Sequence, residues 1–251
     1  MANKKYLYGR YSFKTDIGKV RLNNEDRACA LTNTRGNILL IVCDGMGGQN
    51  KGDLASTLAI NYISQAFKDK PRFSGKILTK RWVAQVIRKA NAEIFRQASS
   101  NQQYQGMGTT ITLVLIVGDF MVIGQVGDSR AYSYRHRILT QITEDQTYVQ
   151  YLYRIGEITK EEIDTHPKRH VLMNALGIYP SLDLDVKVAP YMNDTIIVCS
   201  DGLYNNVPEK DLITIIRSTD TPDQKVNELV SLANKNGGSD NIAVVIWEAQ
   251  Q

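Results

Sequence analysis

Four aspartates stand at the ends of short apolar segments, where carboxylates could bind a divalent cation. Asp44 follows Ile-Val-Cys, Asp128 follows Gln-Val-Gly, Asp201 follows Val-Cys-Ser, and Asp240 precedes Asn and an Ile-Ala-Val-Val-Ile run. One such junction is ordinary, because Asp commonly ends strands and begins turns. If the four meet, however, two bare carboxylates ~4 Å apart repel by ~4 kcal/mol at an effective dielectric of about 20. Such a cluster requires protonation or bound cations.

Oxygen ligands, few histidines and no paired cysteines favour Mg²⁺ or Mn²⁺ over zinc. Gly45 directly follows Asp44, and its carbonyl can approach the same ion because no side chain obstructs it. The segment 45–50 lacks the Gly-Lys-Ser/Thr end of a nucleotide-binding P-loop and the glycine spacing of a dinucleotide site. A phosphate-cradling loop is therefore rejected here.

Arg21 lies four residues before Glu25 and Asp26. Arginine binds phosphate oxygens bidentately, and the two acids could orient metal-bound waters. Taken alone, the stretch is better explained as an exposed turn with a surface ion pair, which contributes little to stability.

The elements that must position these residues are short strands and a few helices. β-Branched runs bounded by Gly, Asp or Asn predict strands at 38–43, 109–117, 120–126, 131–134, 195–199 and 242–247. Only Gly118 and Asp119 separate the strands at 109–117 and 120–126, which predicts that these two form an antiparallel hairpin. Apolar repeats of helical period predict helices over 54–66, 82–94 and 226–233, the last with a stop signal at 235–238. This order favours α+β layers over a doubly wound parallel sheet.

Composition and charge restrict the class of protein. The chain has 251 residues, 43% of them hydrophobic and 22% charged, which is typical of a globular protein. This length suits one large domain or two small ones, and the family resemblance described below implies a single domain over 1–251. The formal charge of +4 with scattered basic residues predicts no nucleic-acid binding. No segment approaches the about 20 apolar residues of a membrane span. Without a signal-peptide core, and with Cys29, Cys43 and Cys199 far apart, we expect free thiols and a cytoplasmic location.

Residues 145–177 differ from their surroundings, since they mix tyrosines, charges and two of the three histidines. We expect an inserted flap. Thr159, followed by Glu161 and Glu162, predicts the start of a short helix within it.

In order along the chain, these motifs resemble the metal-dependent Ser/Thr protein phosphatases of type 2C in their compact bacterial form. The matching segments are Arg21 with Glu25-Asp26, then 44–48, 106–110, 127–130, 200–203 and 238–241, with 156–159, 166–167 and 175–177 in the flap. The match extends from Thr15 to Asn241.

The resemblance implies a four-layer αββα sandwich, in which two central antiparallel β-sheets are flanked by helices and a dinuclear Mn²⁺/Mg²⁺ site lies at one end. It implies that Asp44 bridges both ions, that the Gly45 carbonyl ligates one, and that Asp201 and Asp240 hold the other. Asp128, together with Asp201, would ligate a third ion beside the flap.

The resemblance also implies a mechanism and partners. Arg21 would grip the substrate phosphate, while Glu25 and Asp26 order metal-bound waters. A water between two cations becomes hydroxide near neutral pH and attacks phosphorus in line. The predicted function is hydrolysis of phosphoserine and phosphothreonine in phosphorylated proteins, by a monomer that reverses a bacterial Ser/Thr kinase.

Several positions depart from the family pattern. Gln146 replaces the histidine of an Asp-His-Ser sequence, and Met46 stands where some members carry a histidine that acts as general acid. His170 and Asn174 stand where Asn and Arg are more usual. The leaving alkoxide must therefore take its proton from a metal-bound water or another group. His136, His166 and His170 are each better explained as surface or flap structure than as catalytic residues.

Two other functions compete with this one. A non-catalytic relative would bind phosphoproteins or a kinase without turnover, but loss of a metal aspartate would be its sign, and all are present. A two-metal hydrolase could act on small phosphoesters or nucleic acid. The charge balance and the lack of a basic groove with interleaved aromatics argue against nucleic acid.

Overall fold

The computed structural model describes residues 7–47 and 51–250. Gly48, Gln49 and Asn50, which the sequence groups with the turn after Asp44, lie outside the described residues. The strands are β1 Gly9–Asp16, β2 Arg27–Thr32, β3 Ile38–Cys43, β4 Gly45–Met46, β5 Gly108–Thr109, β6 Ile111–Val117, β7 Phe120–Val126, β8 Arg130–Arg135, β9 Ile138–Gln141, β10 Asp185–Pro190, β11 Thr195–Cys199 and β12 Ile242–Ala249. The helices are α1 Lys51–Lys68, α2 Lys76–Ser100, α3 Tyr148–Arg154, α4 Lys160–Ile163, α5 Asp201–Tyr204, α6 Glu209–Arg217 and α7 Pro222–Lys235.

The two large sheets are antiparallel throughout. One has the strand order β1-β12-β11-β8-β9 and the other β10-β7-β6-β3-β2, while β4 and β5 pair separately. The predicted hairpin is confirmed, because Gly118 and Asp119 join β6 to β7 with Val117 paired to Phe120. The strand predicted at 109–117 is divided in the structure into β5 and β6.

The layers follow from strands that are apolar on both faces. In β3, Leu40 and Val42 contact the second sheet in a core that includes Val245, whereas Leu39 and Ile41 pack in the core formed with α1 and α2. A third core lies on the outer face of the second sheet, against α6 and α7. Because side chains alternate along a strand, one apolar run serves two cores. The predicted αββα arrangement is confirmed.

The elements missed by the sequence carry weak patterns. β1 and β2 are only partly buried, and β9 is mostly exposed, so an apolar run does not mark them. The predicted helices exist but are longer, and α2 in particular runs well beyond 82–94. α3 and α5 are short, so each offers little helical period to detect. α6 does carry such a period, with Leu212, Ile215 and Ile216 buried on one face, and the prediction missed it.

Within 145–177 the predicted helix start is confirmed, since Thr159 caps α4 in a capping box with Glu162. The end of this segment is tied to the body: Thr109 and Leu176 exchange backbone hydrogen bonds of 3.1 and 2.9 Å. The side chain of Asn91 in α2 accepts from the Gly177 amide at 2.8 Å.

The three cysteines are free thiols as predicted, with Cys43 and Cys199 buried and Cys29 partly buried. Of the helices in the described part of the chain, none is long and apolar enough to cross a membrane.

Candidate metal centre

The antiparallel pairing brings strand ends together at one edge of the sandwich. In the first sheet β3 and β7 end and β6 begins at this edge. In the second sheet β11 ends and β8 and β12 begin there. Asp44, Asp128, Asp201 and Asp240 adjoin these ends and all line one cavity of about 830 Å³. The four sequence-predicted aspartates are therefore neighbours in space.

Asp44 is held at its position through its backbone. Its amide donates to Thr110 Oγ1 at 3.0 Å, and its carbonyl accepts from the Thr110 amide at 2.8 Å and from Thr109 Oγ1 at 2.9 Å. Both threonines are buried. Both belong to the 106–110 motif, whose residues carry no role that the sequence alone reveals.

Gly45 is required by close backbone packing. A Cβ at this position would lie 2.6 Å from the Glu25 carbonyl oxygen and would collide with the Gly52 carbonyl group. Glu25 Oε1 accepts from the Gly52 amide at 3.2 Å, in the first turn of α1. Gly45 and Glu25 line the cavity together with Asp44.

Asp26 is fully buried, so the exposed-turn interpretation of its loop is wrong at this residue. Asp26 Oδ2 accepts from Ser200 Oγ at 2.6 Å, and Ser200 Oγ in turn accepts from the Ala243 amide at 2.8 Å. Asp26 lies beneath the cavity surface rather than on it. The loop folds inward because its one buried acid has this partner on the second sheet.

Arg21 does reach the site, but its partner is Asp240 rather than the nearby acids. The guanidinium donates to Asp240 Oδ2 at 2.7 Å, with side-chain exposures of 55% and 31%. Asn241 holds the loop that carries Arg21: its Oδ1 accepts from the Glu25 amide at 2.8 Å, and its Nδ2 donates to the Ile17 and Asn23 carbonyls at 2.9 Å each. Asn241 is a second residue whose role the sequence did not reveal, although it stands inside the last motif.

Burial and mutual repulsion perturb the carboxyl groups. Burial, and then the charges of Asp201 and Asp240, raise the pKa of Asp26 to about 8. Burial and then the charges of Asp201 and Asp145 raise the pKa of Asp128 to about 7, and burial and then the charge of Asp240 raise the pKa of Asp201 to about 6. Burial, followed by the charge of Asp26, raises the pKa of Asp44 well above its ordinary value. The cluster therefore favours either protons or cations.

The donors fit an oxygen-preferring divalent cation. Asp26 Oδ1 and Asp201 Oδ1 are buried without a hydrogen-bond partner among the described residues, and such an acceptor costs about 1–3 kcal/mol. As the side chains stand, the described residues include no group of three or more His, Cys, Asp or Glu placed to hold one ion. Both Asp240 oxygens instead accept hydrogen bonds, from Arg21 and from the Asn241 amide. The fit therefore depends on donor type, burial and repulsion, and the Asp240 carboxylate would have to reorient to bind an ion.

A sequence profile described as protein phosphatase 2C matches residues 19–243. The chain belongs to the protein phosphatase 2C family. The serine/threonine phosphatase stp of Listeria monocytogenes is 38% identical over 237 residues, which cover 94% of each chain. The serine/threonine protein phosphatase PstP of Mycobacterium tuberculosis is also 38% identical over 94% of this chain, which corresponds to 44% of PstP.

Solved structures of this family agree with the fold. A bacterial serine phosphatase superposes with a TM-score of 0.90 at 30% identity, covering 97% of this chain and 98% of the other. The catalytic domain of PstP in complex with two manganese ions superposes with a TM-score of 0.84 at 33% identity, covering 98% and 100%.

Around Asp128 this phosphatase 2C relative has a polar framework that sequence reasoning missed. Tyr204 Oη donates to the Asp128 carbonyl at 3.3 Å, and the Arg130 guanidinium stacks on the Tyr204 ring at 3.6 Å. Arg130 also donates to both oxygens of Asp145, with distances of 2.7 to 3.1 Å. Asp128 is thereby linked to the start of the 145–177 segment.

The positions that depart from the family pattern fall into two groups. In the first group, Gln146 Oε1 accepts hydrogen bonds from the Gly127 amide at 3.0 Å and from Asn174 Nδ2 at 2.9 Å. This pair joins the flap to the loop before Asp128 and does not line the cavity. Met46 and His170, by contrast, do line it.

Proposed function

We propose that this member of the protein phosphatase 2C family hydrolyses phosphoserine and phosphothreonine in proteins, with two divalent cations at the aspartate cluster. The observation that carries the proposal is the convergence of Asp44, Asp201 and Asp240 on one cavity that Arg21 also lines. The manganese-bound PstP structure supports the choice of cation.

The residues that would hold the ions lie together at the strand ends, and their roles are those that the family resemblance implies. Asp44 would be shared by the two ions, the Gly45 carbonyl would bind one, and Asp201 and Asp240 would hold the other. Asp128, with Asp201, would hold a third ion. When bound, Mn²⁺ or Mg²⁺ lowers the pKa of a coordinated water towards neutrality and offsets negative charge on the phosphoryl group.

Arg21 binds and orients the substrate phosphate. Its side chain is more than half exposed and lines the cavity beside Asp240, to which it makes one hydrogen bond. A phosphate that enters can replace that carboxylate and accept two hydrogen bonds from the guanidinium. This exchange also releases Asp240 for its ligand role.

Glu25 and Asp26 orient water at the site and are not themselves assigned as ligands of the ions. Ser200 occupies Asp26 Oδ2, which leaves the buried Oδ1 to accept a hydrogen bond from a water at the site. Glu25 is held by the first turn of α1, and its side chain faces the same cavity. Buried acceptors fixed in this way orient a water without reorganisation during the reaction.

The biological setting belongs to the same proposal. An enzyme that removes phosphate from serine and threonine reverses a protein Ser/Thr kinase, and the relatives reported above are bacterial. The three free thiols suit a reducing cytoplasm.

The test is phosphate release from a phosphothreonine peptide by wild type, Asp201→Asn and the control Asp119→Asn. Asp119 lies in the exposed hairpin at the far end of the first sheet. We expect release by wild type and by the control only when Mn²⁺ is present, and none above background from Asp201→Asn. Folded, Mn²⁺-loaded wild type that releases no phosphate would contradict the proposal and favour a binding module. Full activity of Asp201→Asn would overturn the ligand assignment.

A further inference from the structure

The proposed reaction leaves a serine or threonine alkoxide, which is strongly basic and must gain a proton as the P–O bond breaks. Met46 has no dissociable proton. Gln146 is also excluded, because its side chain bonds Gly127 and Asn174 and does not line the cavity. The donor must therefore be another group at the site.

The side on which the donor must stand follows from the direction of attack. Displacement at phosphorus is in line, so the leaving oxygen lies opposite the attacking water. Water is activated at the aspartate cluster, and the leaving oxygen therefore faces away from it, towards solvent. A protein substrate requires the same orientation, since its backbone stays outside the cavity.

Two flap residues, Arg169 and His170, line the cavity and are exposed to solvent. Their turn is held by backbone hydrogen bonds, from Arg169 to His166 and from Val171 to Lys168, both at 3.1 Å. The Tyr148 amide of α3 donates to the Val171 carbonyl at 2.8 Å and fixes the end of the turn. His170 is thus held on the solvent side of the cavity.

The other ionisable groups of the described lining are unsuited to this task. Arg21 and Arg169 are excluded by their chemical type, because a guanidinium group does not act as an acid in proteins. The lining aspartates are assigned to cations, and Glu25 is bonded to α1. Among the described residues that line the cavity, His170 is the remaining side chain that exchanges a proton near neutral pH.

We propose that His170 is the general acid of this enzyme, an inference that rests on the proposed function. The P–O bond to the serine or threonine oxygen breaks and its electron pair stays on that oxygen. The imidazolium N–H proton of His170 moves to the oxygen and forms the hydroxyl group. The attacking water forms the new P–O bond and loses a proton to solvent, from which His170 is reprotonated.

The charges that face His170 suit this role. Burial and the neighbouring Arg169 lower the pKa of His170, while Asp240 opposes them. Arg21 also lines the cavity, and a bound phosphate dianion would offset both cations. A substrate therefore favours the protonated imidazole when it is needed. The sequence favoured a structural role for His170, because the sequence could not show which way this turn faces.

The test compares substrates that differ in their need for an acid, using His170→Gln and the control His166→Asn. His166 lies in the same turn, where its Nδ1 accepts from the Lys168 amide at 3.1 Å, and it does not line the cavity. We expect His170→Gln to lose about 100-fold in kcat on a phosphothreonine peptide. On p-nitrophenyl phosphate, whose leaving group is a weak base, it should lose less than about threefold. His166→Asn should change neither rate by more than about threefold.

A second measurement needs no variant and no turnover. The imidazole C–H resonances of the three histidines are followed by NMR against pH in Mg²⁺-loaded wild type, with and without inorganic phosphate. We expect phosphate to raise the pKa of His170 and to leave those of His136 and His166 unchanged.

The outcomes separate the two proposals. Equal losses on both substrates, no loss on the peptide, or no response of the His170 resonance to phosphate would overturn its role as general acid. A wild type that hydrolyses neither substrate with Mn²⁺ would instead contradict the proposed function.

Discussion

Replacing Asp128 with Asn should stabilise the protein in chelator, by an amount that grows with pH. Asp128 is only 6% exposed, and burial, followed by the charges of Asp201 and Asp145, raises its pKa to about 7 from an ordinary 3.8. The folded state therefore binds more protons than the unfolded state between about pH 4 and about pH 7. Stability falls as pH rises through that window, because folding must then bury an unpaired carboxylate.

The magnitude follows from the shift in pKa. A shift of about three pKa units, at about 1.4 kcal/mol each, corresponds to about 4 kcal/mol of destabilisation above pH 7. At about pH 5 only the first part of the window has been crossed, and the cost is below about 2 kcal/mol. Asparagine is neutral throughout, so Asp128→Asn avoids this cost.

The assay is urea unfolding of wild type, Asp128→Asn and the exposed-hairpin control Asp119→Asn, in chelator at about pH 5, 6, 7 and 8. We expect the advantage of Asp128→Asn to grow from below about 2 kcal/mol to about 4 kcal/mol across this series. An advantage independent of pH, or a variant less stable than wild type at about pH 8, would refute the electrostatic account of this site. With Mn²⁺, the same variant should keep the central ion pair but turn over more slowly.

Three further predictions concern other residues of the site. Asp44→Asn should abolish turnover and also the stabilisation of the folded protein by Mn²⁺. For wild type that stabilisation is about 2.7 kcal/mol at a Mn²⁺ concentration of 100 times Kd. Equal urea midpoints of wild type with and without Mn²⁺ would contradict the assignment of a cation site. Asn241→Ala removes three hydrogen bonds to the loop that carries Arg21. It should therefore lower the free energy of unfolding in urea by about 2–3 kcal/mol and raise KM for a phosphopeptide. An unchanged KM would exclude a positioning role for Asn241. Arg21→Lys keeps the charge but loses the bidentate geometry, so kcat/KM should fall at least about tenfold, and a wild-type value would show that Arg21 does not bind the phosphate.

Many features of this protein could be predicted because they depend on residues that are close together in the sequence. A run such as 38–43 is apolar at every position because both of its faces are buried, so β3 could be predicted as a strand. The Gly118-Asp119 turn set the pairing of β6 with β7. The aspartates were visible for the same reason, since each is adjacent in sequence to the strand that positions it.

Edge strands and short helices were harder to predict, because half-exposed residues carry little pattern. Side-chain partners across the chain were harder still. Arg21 is 219 positions from Asp240, so their ion pair could not be inferred from sequence spacing. The same holds for the hydrogen bond between Ser200 and Asp26, which are 174 positions apart.

The amino-acid sequence alone was enough to predict the acidic residues proposed as ligands, the strands next to them and the family. The folded structure was needed to see that Asp26 is buried, that Asn241 holds the loop of Arg21, and that His170 lines the cavity whereas Gln146 does not. These features depend on the register between antiparallel strands and on how the flap turn packs against them. Register and packing are set by contacts between distant segments, which leave no periodic trace in the sequence near any one residue.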